Sequence, residues 1–243
     1  DYSAAFKKNR KSIRSIDFPE CQCDFEKTFD LLKKEKFDLI IICNPNNPDG
    51  KMVSSVQIDE LCRAFPQTVI CIDESYQEMS LKCESVLPYV NKNENLLVLK
   101  SLTKPFGIGG IRASYAVSSQ KIIDRLKSSV LPWGVSSIAQ RIIPEFFNEW
   151  DYYQKQWQEI QAEKERIICN LNRASITTRS SVCPFFFIAC KDASAITSQL
   201  LEQYKISVRD CTSFGMPHYI RIMPSVESNN DRLIEVLKTM WEL

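Results

Sequence analysis

Apolar and polar positions alternate along this chain in two different ways. "FDLIIIC" (37–43), "TVICID" (68–73), "NLLVLKS" (95–101) and "ASYAVS" (113–118) are short runs, most too continuously apolar for a strand with one wet face. They read as buried strands. Between the first two, "SSVQIDELCRAF" (54–65) repeats its apolar residues at helical spacing behind a serine suited to cap the helix. Buried strands alternating with helices predict an α/β fold whose mainly parallel sheet is flanked by helices.

The pattern changes after "SSQKIIDRLKSS" (118–129) and the breaker "VLPWG" (130–134). Helices are expected over 136–148 and, long and charged, over about 151–172. The remainder predicts a strand (185–190), a helix (193–204), a short strand (206–209), a strand (218–223) and a helix (227–240). That order is α+β. It predicts a large domain over residues 1–145 and a smaller C-terminal domain over 146–243.

Composition narrows the choice of partner. With 243 residues, 44% apolar, 25% charged and a net charge of +1, the chain has the balance of an ordinary globular protein. It shows no basic stripe, so nucleic acid and anionic membrane are not expected partners. No apolar run approaches the length that spans a bilayer. The opening "DYSAAFKKNRK" lacks the apolar core of a secretory leader. Several of the ten cysteines (Cys43, Cys71, Cys190) sit inside strand-like runs, as small hydrophobes do. Reduced thiols and a cytoplasmic location are the expectation. Cys21 and Cys23 form an isolated pair, and no metal site is expected.

Three stretches directly follow predicted strands, where open α/β sheets bind ligands. "CNPNNPDG" (43–50) is built of turn formers, and there Asn47 can present an amide to a ligand oxygen. In "IDESYQEM" (72–79), Asp73 and Glu74 are adjacent, so an extended chain points them to opposite faces and they are no acid/base dyad. The stretch is either a helix start with acidic residues or a buried Asp73 paired with a cation, with the Tyr76 hydroxyl close by. "SLTKPFGIGGIRASY" (101–115) is neither a P-loop, because the lysine precedes the glycines, nor a dinucleotide fingerprint. A desolvated lysine at the end of a buried strand becomes nucleophilic toward carbonyls. Ser101, Thr103 and Arg112 offer hydroxyls and a guanidinium to a phosphate. Further on, "YIRI" (219–222) sets Arg221 in an apolar strand, either as a surface arginine on an edge or as a carboxylate clamp.

In this order and spacing the stretches resemble the class I/II aminotransferases of pyridoxal-phosphate fold-type I. "NPNNPDG", "DESY" and "SLTKPFGIGGIRASY" are similar to that family's N-P-x-N-P-T-G, D-E-A-Y and S-x-S-K-x-x-G-x-x-G-x-R-x-G-Y. Asp49, Ser75, Thr103 and Ser114 depart from it without removing a group the chemistry needs. The resemblance implies pyridoxal 5'-phosphate held by Lys104 as a Schiff base, with Lys104 then acting as the base at the substrate's α-carbon. It implies Asp73 on the pyridine nitrogen, Asn47 and Tyr76 on the ring's phenolic oxygen, and Ser101, Thr103 and Arg112 on the phosphate. Tyr2 falls where the family stacks an aromatic ring on the cofactor, and Arg221 matches the arginine that grips the substrate carboxylate.

Within the family, "SVRDCTSFG" (207–215) puts Arg209 where the histidinol-phosphate aminotransferases keep an arginine for the substrate phosphate. "LPWGVSSIAQ" and "RDCTSFGMPHYIRI" resemble the threonine-phosphate decarboxylases more closely. Transamination of a phosphorylated amino substrate with a 2-oxo acid is the favoured expectation, with decarboxylation as its close alternative. The resemblance also implies a homodimer, and an N-terminal part ahead of Tyr2 that supplies more of the phosphate site. An inactive fragment that keeps the fold is the alternative from a different class.

Overall fold

The structure, a computed structural model, describes residues 2–9, 11–16 and 25–241. Cys21 and Cys23 lie outside them. The chain forms two compact units, Asp1–Phe37 and Asp38–Leu243. The first contains helices α1 (Tyr2–Lys8) and α2 (Phe25–Leu32), and α2 buries Phe29 and Leu32.

In the second unit the four apolar runs become β1 (Leu39–Cys43), β2 (Val69–Asp73), β3 (Leu96–Ser101) and β4 (Ser114–Ser118), side by side in that order. The β1–β2 and β2–β3 pairings are parallel, and β4 returns antiparallel to β3. The crossover between β1 and β2 is helix α3 (Ser55–Ala64), which buries Ile58, Leu61 and Cys62. Ser54 opens it with a capping box: its hydroxyl accepts from Gln57 N–H at 3.2 Å while the Gln57 side chain accepts from Ser54 N–H at 3.0 Å. Because the strands are parallel, β1, β2 and β3 end at one edge. Cys43 pairs in register with Asp73, and Asp73 with Leu99.

Helices α4 (Gln120–Lys127), α5 (Ser137–Asn148) and α6 (Trp150–Arg173) follow. Then come β5 (Thr178–Arg179), β6 (Phe186–Ala189), α7 (Ala193–Tyr204), β7 (Arg209–Asp210), β8 (Tyr219–Ile222) and α8 (Glu227–Trp241). The second sheet has the order β5-β6-β8-β7 and is antiparallel throughout. The strand expected over 206–209 shrinks to two residues. Ile206 N–H instead donates back to Leu200 O, closing α7 behind a left-handed Lys205 (φ 55°).

Helix α6 joins the two cores. Its first half places Trp157 and Ile160 against Leu102, Phe106 and Met79. Its second half places Ile167 and Leu171 against Phe186, Ile188, Ile220 and Leu237 beside the antiparallel sheet. No helix among the described residues is long and apolar enough to cross a membrane.

Candidate active site

Lys104 lies in the turn after β3, where Thr103 O accepts from Ile108 N–H at 3.0 Å and Lys104 O from Gly107 N–H at 3.2 Å. Gly107 reverses the chain with φ 67°, a conformation glycine adopts without strain. The apolar residues between the functional ones anchor this turn. Leu102 and Phe106 are buried, and Phe106 stacks on Phe146 with ring centres 5.3 Å apart. Trp157 Nε1 of α6 donates to Pro105 O at 2.9 Å, fixing the residue next to Lys104.

Lys104 Nζ stands 4.9 Å from the centre of the Tyr76 ring. Among the described residues the amine makes no hydrogen bond or ion pair. Tyr76 meets Phe185 edge to face at 5.3 Å, and burial pushes its phenol above the ordinary value of 10.0. On Phe185 in turn lies the Arg221 guanidinium, 4.6 Å from the ring centre, and Arg221 Nη1 donates to Asn47 Oδ1. Lys104, Tyr76, Arg221 and Asn47 thus form one contiguous group with Phe185 between them. Strand β8 is flanked on both sides, so Arg221 is not a surface residue on a sheet edge.

Asp73 closes β2. Its Oδ1 accepts from Ser75 N–H at 3.0 Å and from Ser75 Oγ at 2.5 Å. Beside it, burial and then the Asp73 charge push the Cys43 thiol up to about 11, while Lys104 pulls the other way. Asp73 and Lys104 therefore both lie within electrostatic reach of one thiol. That thiol is protonated at neutral pH.

The Asn47 turn is held by its neighbours. Asp49 Oδ1 accepts from Asn46 Nδ2 at 2.8 Å and Lys51 N–H at 3.1 Å, so this departure from the family's threonine still organises the turn. Buried Asn44 exchanges two hydrogen bonds with the Val53 backbone, at 2.8 and 2.9 Å. Ser101 and Thr103 are half-buried, and their hydroxyls have no hydrogen-bond partner among the described residues. Arg112 is exposed, in a left-handed conformation (φ 58°), and donates to Gly109 O at 3.1 Å. It shares the loop of Lys104 but bonds only its own backbone. Tyr2 is on α1, in the N-terminal unit, and about a third of its surface is exposed.

Arg209 on β7 is the register partner of Arg221 on β8. Both guanidinia lie over the Phe214 ring, at 4.9 and 5.8 Å, and Arg209 also donates to Ser213 Oγ at 3.0 Å. Neither makes an ion pair among the described residues. Like charges opposite one another on neighbouring strands are unfavourable unless an anion joins them.

Four contributors escaped the sequence reading: Phe185, Phe214, Ser75 as a partner of Asp73, and Lys100. Phe185 was hidden in "FFFIAC", a run that reads as core. Phe214 lies inside the stretch that pointed to Arg209, where arginine and aromatic in one short loop was the available signal.

Over residues 1–237 the chain matches the family described as "Aminotransferase class I and II". It is 32% identical over 225 residues to histidinol-phosphate aminotransferase 2 of Archaeoglobus fulgidus, covering 92% of this chain and 64% of that protein. It is similar in fold to a histidinol-phosphate aminotransferase from Sinorhizobium meliloti in complex with pyridoxal-5'-phosphate: TM-score 0.89, 20% identity, covering 98% of this chain and 66% of the other. The L-threonine-O-3-phosphate decarboxylase from Porphyromonas gingivalis also superposes: TM-score 0.83, 24% identity, covering 100% and 74% of the two chains. The chain thus spans somewhat less than two thirds of its Archaeoglobus relative. The family match spans all three strand-end loops and extends past Arg221, and the chain belongs to the class I and II aminotransferases.

Proposed function

We propose that this chain carries the cofactor and substrate site of a pyridoxal 5'-phosphate-dependent aminotransferase whose amino substrate bears a phosphate, in the manner of histidinol-phosphate aminotransferase. The observation that carries the substrate class is the Arg209–Arg221 pair: two guanidinia in register, over one ring and without a carboxylate partner among the described residues. Such a pair suits a doubly charged anion, which arginine's planar forks bind best.

The donor set fits the cofactor. Among the described residues, a half-buried amine without a partner, a carboxylate ordered by two hydrogen bonds to Ser75, and two unpartnered hydroxyls in one loop match an aldehyde, a pyridine nitrogen and a phosphate in turn. When bound, pyridoxal phosphate supplies an electron-accepting ring for the charge that develops at the substrate's α-carbon. Asp73 would accept a hydrogen bond from the N–H of the pyridine ring. Tyr76, kept neutral by burial, donates to the ring's phenolic oxygen, and Asn47 turns its amide nitrogen there because its oxygen is already taken by Arg221. Lys104 would be the amine that holds the cofactor and the general base for the proton at the substrate's α-carbon. Ser101, Thr103 and Arg112 would take the cofactor phosphate, and Tyr2 would supply an aromatic ring to the cofactor. Arg209 and Arg221 would bind the substrate phosphate between them, and Arg221 would also take the carboxylate of the 2-oxo acid substrate.

The reading includes a homodimer in the cytoplasm, a large cofactor domain (1–145) and a small domain (146–243). The exposed apolar residues Val130, Leu131 and Trp133, the last 95% exposed, support a second copy as their cover. A 2-oxo acid accepts the amino group.

The test is direct. After pyridoxal phosphate is added and the imine reduced with borohydride, peptide mapping should find the adduct on Lys104. No adduct, or one on another lysine, refutes the assignment and leaves the fragment reading. With histidinol phosphate and 2-oxoglutarate, glutamate should appear. Carbon dioxide from threonine phosphate, without glutamate from the first pair, would replace transamination by decarboxylation.

A further inference from the structure

The lysine most deeply buried on the site's own strand is Lys100, one residue before the end of β3 and 3% exposed. Its ammonium group reaches Glu74 Oε2 at 2.7 Å, Glu78 Oε1 at 2.8 Å and Gln77 Oε1 at 2.6 Å. All three acceptors belong to the segment that follows Asp73. They stand at positions i, i+3 and i+4, which a turn closed by Gln77 N–H on Glu74 O at 3.1 Å brings to one face. Asp73 and Tyr76 lie between and beside them and turn to the site. Glu74, fully buried, is fastened again by Val86 N–H and Ser85 Oγ, both at 2.6 Å.

A buried ion pair is weak evidence for stability, because a well-packed apolar pair often does as well. What distinguishes this cluster is its direction. One ammonium group draws three side chains of a single short segment onto β3, and the same β3 leads into the Lys104 turn. It also holds two carboxylates for one cation, and Glu78 Oε2 is buried without a partner. Among the described residues, no other cation pairs with Glu74 or Glu78.

We infer that Lys100 is a positioning residue for the site: it locks residues 74–78 onto β3 and so sets Asp73 and Tyr76 relative to Lys104. The inference rests on the proposed function for its consequence, but its structural half can be read without any cofactor.

The experiment compares Lys100→Met and Lys100→Arg in this chain, with Leu237→Ala in the distant antiparallel core as a control for general destabilisation. Amide hydrogen exchange is measured without cofactor, and pyridoxal phosphate is then titrated. Lys100→Met should speed exchange over residues 73–80 by at least about tenfold relative to the rest of the chain, and weaken pyridoxal phosphate binding by about tenfold or more. Lys100→Arg should restore most of both. Leu237→Ala should lower the melting temperature and leave both unmoved. Exchange that rises evenly through both cores, or cofactor affinity within about twofold of the parent, overturns the inference. Should Lys100→Met fail to fold, Glu78→Ala, which removes one tether and keeps the Glu74 pair, must shift both readings in the same direction; no shift overturns it. A parent chain that takes up no pyridoxal phosphate sinks the proposed function instead, and the exchange pattern alone then decides whether Lys100 positions the segment.

Discussion

Gly50 tests how the first strand-end loop is locked to the rest of the site. Its φ is 66°, and a Cβ built there would stand 2.3 Å from Ser181 Cβ and 2.7 Å from Ser181 Oγ. Ser181 has little room to give. Its hydroxyl donates to Phe185 O at 2.5 Å, and its carbonyl accepts from the buried Lys164 ammonium at 2.8 Å. A Cβ–Cβ clash cannot be relieved by side-chain rotation, so backbone must move. In Gly50→Ala the left-handed conformation should cost about 1–2 kcal/mol and the overpacking about 1–3 kcal/mol. The expected loss is therefore about 2–5 kcal/mol in a urea titration with unchanged slope.

The companion variant separates the two parts. Ser181→Gly removes the atom that clashes, so the double variant should recover about 1–3 kcal/mol relative to the sum of the singles. The backbone strain should remain. If Gly50→Ala loses less than about 1 kcal/mol, or the pair behaves additively, the reasoning from close approach fails. Because residues 181–185 lead to Phe185, which separates Tyr76 from Arg221, substrate KM should also rise in the single variant and fall back in the double.

Three further outcomes follow from the site and its surroundings. Lys104→Ala should abolish the near-visible absorbance that appears when pyridoxal phosphate is added, and persistence of that band removes Lys104 from its role. Arg209→Met should raise KM for a phosphorylated substrate with kcat little changed, by about 10–100-fold if charged hydrogen bonds worth about 1.5–3 kcal/mol are lost; steady-state kinetics with phosphorylated and unphosphorylated substrates checks this. The Arg166 hydrogen bond holds Glu163 below its usual 4.5 despite some burial, with Asn230 assisting. A depressed carboxylate stabilises the fold above its unfolded pKa and loses that contribution as pH falls through the lower folded value. Glu163→Gln should therefore flatten the stability–pH curve below about 4.5 in urea titrations, and a curve identical to the parent's would contradict it.

Periodicity made much of the fold legible because the parallel strands are buried on both faces and stand out as unbroken apolar runs. β1, β2, β3 and α3 match their expected spans to within a few residues for that reason. β5 has no such signal: it is Thr178–Arg179 at a sheet edge, defined only by its pairing with β6. The shortening of the 206–209 strand is a local event, because Ile206 N–H is claimed by the end of α7 behind the left-handed Lys205. Arg221 is the sharper case. Sequence left it between an edge position and a clamp, and strand order decides, because β8 lies between β6 and β7. Strand order in a sheet depends on pairings between distant segments, which local pattern does not carry.

The two lysines of "LKSLTK" show where residue-level reasoning reaches its limit. By burial alone Lys100 would be the reactive amine: it is 3% exposed within β3, whereas Lys104 is half-buried in the turn beyond it. Yet Lys100 is fully engaged by Glu74, Gln77 and Glu78, and its acids outweigh the lowering effect of burial so that its pKa is raised. An ammonium held that firmly is no nucleophile. Lys104, with no hydrogen-bond or ion-pair partner among the described residues and an aromatic ring beneath it, is the one free to react. What separates them is not desolvation but whether carboxylates converge, and those carboxylates sit more than twenty positions upstream in "DESYQE". A reading that pairs each lysine with the acids its fold brings near would have assigned the anchor and the clamp separately.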